Sequence, residues 1–285
     1  MLGSARIEGA RVEDGVNDLV DTRRTALDVE DFLHGLRGAA RSDVKTSNPE
    51  LRAWLVDLGG RSFFVKWAKR EIFDETLRKD AEICSFDLHP AIVRLYNVLE
   101  ARDGTALVFE KIEGTPLIGR QNRGRFNALP VAEKMRALRS IFGAIDAIAG
   151  AGYVGVDFYE GNVIYDFAHR TVKIHDFELF ERGEGFTLKA QRNYGSTRLM
   201  APEEFIQGSW IDGRTNVFQL GRYAICALSD RAGEDWREGL RCSPDLANIL
   251  LRATRPDPAE RHPSVRRFWE EFDAATVDVA ARSPG

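Results

Sequence analysis

Cysteine is scarce in this chain: three in 285 residues, at positions 84, 226 and 242. They show no close pairing and no metal-ligand spacing, which excludes a disulfide framework and a thiolate zinc centre and fits reduced thiols in the cytosol. The five histidines are scattered, so they suggest no zinc site either. No apolar run is long enough to span a bilayer. The most apolar stretch, IFGAIDAIAGAGYVGV at 141–156, is interrupted by Asp146 and several glycines and reads as a buried helix. The opening MLGSARIEGARVEDG lacks the apolar core of a secretory signal, so a cytoplasmic location is expected. Neither charge sign dominates: 40 Lys and Arg stand against 44 Asp and Glu, a net charge of −4, which gives no general pull toward nucleic acid or an anionic membrane. There is no internal repeat and no low-complexity segment. What remains is ordinary for a soluble globular protein, with 44% hydrophobic and 29% charged residues, long enough for one large domain or a two-lobed one.

The patterning divides near residue 113. Residues 1–35 are polar with a weak helical pattern and read as a loose N-terminal extension. LRAWLVDL (51–58) and SFFVKWA (62–68) alternate as strands around Gly59-Gly60, a pair suited to a tight hairpin turn. EIFDETLRKDAEICSFDL (71–88) has Phe73, Leu77, Ala81, Cys84 and Leu88 at helical spacing. AIVRLYNVLEA and TALVFEKI are strand-like again, joined by a turn at Arg102-Asp103-Gly104. After EGTPL a long helical pattern, VAEKMRALRSIFGAIDAIAGAG, ends in glycines. NVIYDF and TVKIHDF form two short strands around AHR. From about residue 199 the pattern is mostly helical, in APEEFIQG, TNVFQLGRYAICALS, PDLANILLRAT and SVRRFWEEFDAA. The expected class is α+β, a small β-rich lobe at 36–112 and a larger helical lobe at 113–275, with a tail at 276–285.

The chemistry concentrates in GVDFYEGNVIYDFAHRTVKIHDFEL, residues 155–179. A hairpin brings its ends together, so Asn162 at its mouth and Asp176 beyond its second strand should lie side by side. A carboxylate beside an amide oxygen suits Mg²⁺, a hard cation that takes oxygen ligands and keeps phosphates on its other positions. Asp157, in the preceding loop, is then free to accept a proton or orient an alcohol. That is a layout for phosphoryl transfer, which needs positioning and charge neutralisation more than covalent chemistry. Taken singly, each residue has a plainer reading. Asp-x-x-x-x-Asn occurs by chance in many proteins, and Lys66 alone would be a solvated strand lysine.

The set in its order resembles the protein kinase-like superfamily from about residue 40 to 275. DFYEGN resembles its catalytic loop and HDFE its Asp-Phe-Gly metal site. Ala201-Pro202-Glu203 resembles Ala-Pro-Glu, TNVFQLG the helix that usually reads Asp-Val-Trp-Ser-Leu-Gly, and DPAERHPS the late element whose arginine pairs with the glutamate of Ala-Pro-Glu. The resemblance implies a bilobal fold that uses ATP and Mg²⁺. It assigns Asp157 to the acceptor hydroxyl, Asn162 and Asp176 to the metal, and Lys66 in FFVK to the phosphates, held by Asp80 or Glu82. It further implies that Glu110 to Ile112 hold adenine, that Ser47 and Asn48 in KTSNPE (45–50) take the place of the phosphate-covering turn, and that Arg261 pairs with Glu203.

The departures are specific. No Gly-x-Gly-x-x-Gly precedes Lys66. Gly155-Val156 stands for His-Arg, so a phosphorylated activation loop lacks its usual anchor. Tyr159 replaces a lysine, Glu178 the glycine of Asp-Phe-Gly, and Asn216 an aspartate that buttresses the catalytic loop, where an amide offers only one acceptor oxygen. Gly161 is a mark of aminoglycoside-type kinases, whereas Ala-Pro-Glu and Ser196 are marks of serine/threonine protein kinases. The expected function is a serine/threonine protein kinase-like phosphotransferase acting on a protein. A small-molecule alcohol kinase and a nucleotide-binding pseudokinase are the alternatives.

Overall fold

The computed structural model describes residues 15–46, 48–189, 196–230 and 238–281. The chain forms two compact units, Met1–Asp87 with Val93–Ile112, and Leu88–Ile92 with Glu113–Gly285. Together their elements make the α+β class expected from the sequence.

The first unit is built on a five-stranded antiparallel sheet of order β1-β2-β3-β5-β4. Its strands are β1 (Ala40–Val44), β2 (Leu51–Leu58), β3 (Arg61–Ala68), β4 (Leu95–Ala101) and β5 (Gly104–Glu110). β2 and β3 close on Gly59 and Gly60, whose φ angles of 62° and 74° demand residues without Cβ strain. The helical pattern at 71–88 forms two helices, α3 (Arg70–Glu75) and α4 (Leu77–Ser85). They break at Thr76, whose hydroxyl donates back to the Ile72 carbonyl at 2.6 Å; such back-bonding from Ser or Thr bends helices.

The N-terminal residues that the structure describes are packed rather than loose. Residues 15–21 form α1, and α2 (Val29–Gly35) follows. Val16, Leu19, Val29, Leu33 and Leu36 are buried in one cluster with Trp54, Val56, Phe63, Val65 and Val108 of the sheet. Burial of each large aliphatic side chain contributes about 1.5–3 kcal/mol, enough to hold a stretch whose polar composition reads as an extension. The chain between these helices also covers the β4 edge. Thr25 N–H donates to the Glu100 carbonyl and Glu100 N–H to the Arg23 carbonyl, both at 2.9 Å, which removes an edge open to pairing with another chain.

The second unit is mostly helical: α5 (Gly119–Asn127), α6 (Val131–Gly150), α7 (Gly213–Leu228), α8 (Pro244–Ala253) and α9 (Val265–Ala281). Leu138, Ile141, Phe142, Ile145 and Ile148 give α6 an apolar stripe at helical spacing, all of it buried. Phe142 packs its ring on Phe268 and Phe272 of α9, at centroid distances of 5.4 and 4.7 Å. Short strands dress the helices. β6 (Thr115–Pro116), β8 (Val163–Asp166) and β9 (Thr171–Ile174) form one sheet, β7 (Tyr153–Gly155) pairs with β10 (Phe180–Arg182), and β11 (Gly185–Thr187) pairs with β12 (Trp210–Asp212). APEEFIQG, helical in pattern, makes only a single 3₁₀ turn at Pro202–Phe205. Among the described residues no helix is long and apolar enough to cross a membrane.

Candidate active site

In the first unit, Lys66 projects from β3 and its Nζ lies 3.3 Å from Asp80 Oδ2. Of the two candidate partners, the geometry gives this contact to Asp80. The reason is the helix face: Leu77, Asp80, Ile83 and Cys84 are the buried residues of α4, and both members of the pair are largely shielded, at 13% and 3% side-chain exposure. A buried pair of this kind holds the ammonium in one place but is costly to break.

The turn before β2 is organised around Asn48. Ser47 lies outside the described residues. Asn48 Oδ1 accepts the N–H of Glu50 at 3.0 Å, and the Asn48 carbonyl accepts the Thr46 hydroxyl at 2.8 Å. The Asn48 side-chain oxygen thus serves an Asx turn, and Nδ2 is the atom that can donate to a phosphate. At the end of β5, Glu110 N–H donates to the Arg94 carbonyl and Lys111 N–H to that of Ser62, and Ile112 closes the unit.

In the second unit the hairpin of β8 and β9 does what its spacing requires. His175 N–H donates to the Asn162 carbonyl at 3.1 Å. The Asn162 amide donates to the backbone carbonyls of both Asp157, at 2.9 Å, and Asp176, at 3.4 Å. One buried side chain ties together the two loops that carry the acids. Both amide hydrogens are used on backbone, so Oδ1 is the atom left to act as a ligand. Asp157 and Asp176 have φ angles of 67° and 70°, in the left-handed region uncommon for residues other than glycine. Backbone held in such states clusters at functional sites.

Asp157 Oδ1 is buried and makes no hydrogen bond. Burial, then the carboxylates of Asp176 and Glu178, push the Asp157 carboxyl up to about 7. An orphaned acceptor beside two further carboxylates is a donor set suited to a divalent ion and a proton-bearing substrate.

The departures from the kinase pattern have local steric reasons. A Cβ at Gly155 would collide with the Phe180 ring, and one at Gly161 with the Tyr159 ring. Phe180 in turn packs edge-on against Phe177 at 5.5 Å. Gly161 is therefore explained by Tyr159 lying across it.

Asn216 accepts a single N–H, as an amide in place of an aspartate must, and adds two donor bonds. Its Oδ1 accepts the N–H of Gly155 at 3.3 Å, and its Nδ2 donates to the Gly155 carbonyl at 2.7 Å and to Gln219 Oε1 at 2.9 Å. Gln219 then donates to Glu204 Oε1 at 3.0 Å, while Glu204 Oε2 accepts the Ala201 N–H at 2.6 Å. The chain of bonds has one polarity, fixed by backbone at both ends, and an aspartate could not supply its two donor bonds. Burial pushes the Glu204 carboxyl up to about 7, against the two hydrogen bonds that favour its charge. The sequence reveals Gln219 only through two amides three residues apart among Val217, Phe218 and Leu220, and gives no signal for Glu204. Asn216→Asp, although it restores the residue usual at this place, should destabilise the protein by about 2–6 kcal/mol, since two buried acceptors lose their donor at roughly 1–3 kcal/mol each. A denaturant midpoint equal to wild type would refute that polarity.

Glu203, the glutamate of Ala-Pro-Glu, pairs with Arg261 through two bonds of 2.7 and 2.9 Å. Ser196 lines a cavity with Tyr159 and Gly161.

Comparison with known proteins agrees with this geometry. Residues 63–239 match the family described as protein kinase domain. The serine/threonine-protein kinase PknG of Mycobacterium leprae (strain TN) is 26% identical over 214 residues, covering 70% of this chain and 27% of that protein. CBL-interacting protein kinase 10 of Oryza sativa subsp. japonica is 26% identical over 218 residues, covering 69% and 46%. Sperm motility kinase Z of Mus musculus is 30% identical over 175 residues, covering 60% and 34%. The matched part thus amounts to 27–46% of the length of these curated relatives. A match across more than half of the chain places it: the chain belongs to the protein kinase domain family.

Proposed function

We propose that the protein transfers the γ-phosphate of ATP to a serine or threonine hydroxyl of a protein substrate. The observation that carries this reading is the unpartnered, buried Asp157 Oδ1, held by the Asn162 bridge between its own loop and Asp176. In this reading Asp157 orients the acceptor hydroxyl and takes its proton late. Asn162 Oδ1 and the Asp176 carboxylate are the residues that would hold Mg²⁺, which when bound neutralises charge on the phosphates. Lys66, steadied by Asp80, grips the α- and β-phosphates as a point charge. Backbone groups around Glu110 to Ile112 hold the adenine. Ser47 and Asn48 take the place of the phosphate-covering turn, Asn48 donating through Nδ2.

The buried Glu203–Arg261 pair supports a protein acceptor, because it fixes the Ala-Pro-Glu segment that serves as substrate platform in this family. The mark that points elsewhere, Gly161, is accounted for by the Tyr159 ring. The three cysteines are free thiols, which supports a cytoplasmic setting.

The test is incubation of the full chain with Mg²⁺ and ATP, with a degenerate pool of serine- and threonine-containing peptides, read by mass spectrometry. A phosphate-sized gain on the peptides or on the chain is expected. No gain on either, with nucleotide still raising the melting temperature, would overturn transfer and leave a nucleotide-binding module.

A further inference from the structure

Beside the catalytic loop the second unit has a small cavity of about 50 Å³, lined by Arg123, Asn127, Glu160, Arg198, Tyr223 and Cys226 among others. It shares Arg123, Glu160 and Arg198 with a wider, open cavity that also includes Tyr159, Gly161 and Ser196. Tyr159 and Gly161 lie between Asp157 and Asn162, so both cavities flank the loop that carries the proposed base.

The small cavity has two features that point to a ligand. The first is its charge. Arg198 is paired with Glu160 at 2.7 Å, and its backbone carbonyl accepts Arg222 Nε at 3.1 Å. Arg123 makes no ion pair among the described residues. The charges of Arg222, Arg198 and Arg123 all act on the Cys226 thiol, against the single carboxylate of Glu160. Two guanidinium groups, those of Arg123 and Arg198, thus line the cavity where one carboxylate, Glu160, compensates them. The second is an orphan. Tyr223 is 3% exposed, and its buried hydroxyl makes no hydrogen bond. Burial and nearby Glu160 push the Tyr223 hydroxyl upward, so it stays protonated and able to donate. A buried donor left unmade costs about 1–3 kcal/mol, and its natural partner beside arginines is an oxyanion.

We infer that this cavity is a subsite for an oxyanion-bearing residue of the substrate, the carboxylate of Asp or Glu or the phosphate of a residue already phosphorylated. The inference rests on the phosphotransferase reading only for calling the ligand a substrate. The volume suits a carboxylate, being several times the roughly 10–15 Å³ that one water needs. It also opposes the protein's overall charge of −4, so a preference for acidic peptides would be local in origin.

The experiment measures binding without nucleotide. Fluorescently labelled serine peptides of one length, flanked by Glu, Gln, Lys or phosphoserine, are titrated with the full chain and followed by anisotropy. The Glu or the phosphoserine peptide should bind about tenfold more tightly than the Gln peptide, the change that one charge-assisted hydrogen bond supplies. Which of the two gains identifies the oxyanion. Arg123→Glu, on the surface of α5, should turn the preference toward Lys. Tyr223→Phe should weaken the anionic peptides several-fold and leave the Gln peptide unchanged. Equal affinities, a wild-type preference for Lys, no measurable binding of any anionic peptide, or an order unaffected by Arg123→Glu would each overturn the subsite. An unchanged affinity in Tyr223→Phe would assign that hydroxyl to an ordered water and remove it from the subsite. Transfer is read separately: acidic peptides that bind but are never phosphorylated would count against the phosphotransferase reading and leave the subsite standing.

Discussion

Asp157→Asn should lower phosphoryl transfer by about 10²–10⁴-fold, the range a positioned general base contributes, while nucleotide affinity stays near wild type. Asparagine is the informative substitution because it preserves what the backbone needs. Residue 157 sits at φ 67°, a conformation that Asn and Asp tolerate better than other side chains. Its carbonyl remains available to the Asn162 amide, which approaches at 2.9 Å. Only the carboxylate is lost, and with it the buried Oδ1 that no protein group satisfies. The raised pKa makes the same point through pH. Burial and the Asp176 and Glu178 carboxylates bring Asp157 to about 7, so the proton is bound as pH falls through that value and the base is lost. In the wild type, kcat/KM should therefore decline on the acid side of neutrality, less so as a cation on Asp176 offsets the carboxylates. The residual activity of Asp157→Asn should lack that acid limb. Wild-type turnover in the variant would remove Asp157 from its proposed role. Loss of nucleotide binding along with turnover would mean that the substitution had disturbed the Asn162 bridge instead.

Much of this site was legible because it depends on short-range geometry. A hairpin of fixed length must return Asp176 to Asn162, and alternation with a Gly59-Gly60 turn must make β2 and β3 neighbours; neither needs knowledge of distant parts of the chain. The face of α4 was legible too, since Asp80 falls among Leu77 and Cys84 at helical spacing. What escaped the sequence depends on partners far away in it. The burial of Leu19 and Leu33 is decided by a sheet whose face their own segment does not reveal. The break at Thr76 depends on a hydroxyl finding the Ile72 carbonyl. The value of Asn216 as a donor as well as an acceptor depends on both polar groups of Gly155, 61 residues away, and on the orientation of Gln219. A substitution table calls Asn216 a weakened aspartate, whereas the bond directions make it the residue the network requires.

Arg261→Ala should cost about 3–5 kcal/mol of stability, the penalty for leaving one member of a buried pair without the other. The arginine side chain is fully buried, and its hydrogen bonds account for the whole guanidinium. Nε donates to the Arg255 carbonyl at 2.7 Å. NH1 donates to Glu203 Oε1 at 2.7 Å and to the Arg214 carbonyl at 3.0 Å. NH2 donates to Glu203 Oε2 and to the Pro256 carbonyl, both at 2.9 Å. Five N–H groups meet five acceptors, and the plane stacks over the Phe218 ring at 4.8 Å. Alanine leaves Glu203 with Thr215 as its remaining side-chain donor, through a bond of 2.7 Å, together with three carbonyls that lose a partner. Lysine should rescue little, because an ammonium cannot reproduce the fork. Replacing both partners separates the two contributions: Glu203→Gln with Arg261→Met removes the stranded charge and should recover part of the loss, since an ion pair exchanged for apolar volume is often tolerated. If Arg261→Ala melts with the wild type, the pair does not hold the Ala-Pro-Glu segment. If instead the double variant is as unstable as the single, the carbonyls of Arg255, Arg214 and Pro256, rather than Glu203, are what the arginine is there to satisfy.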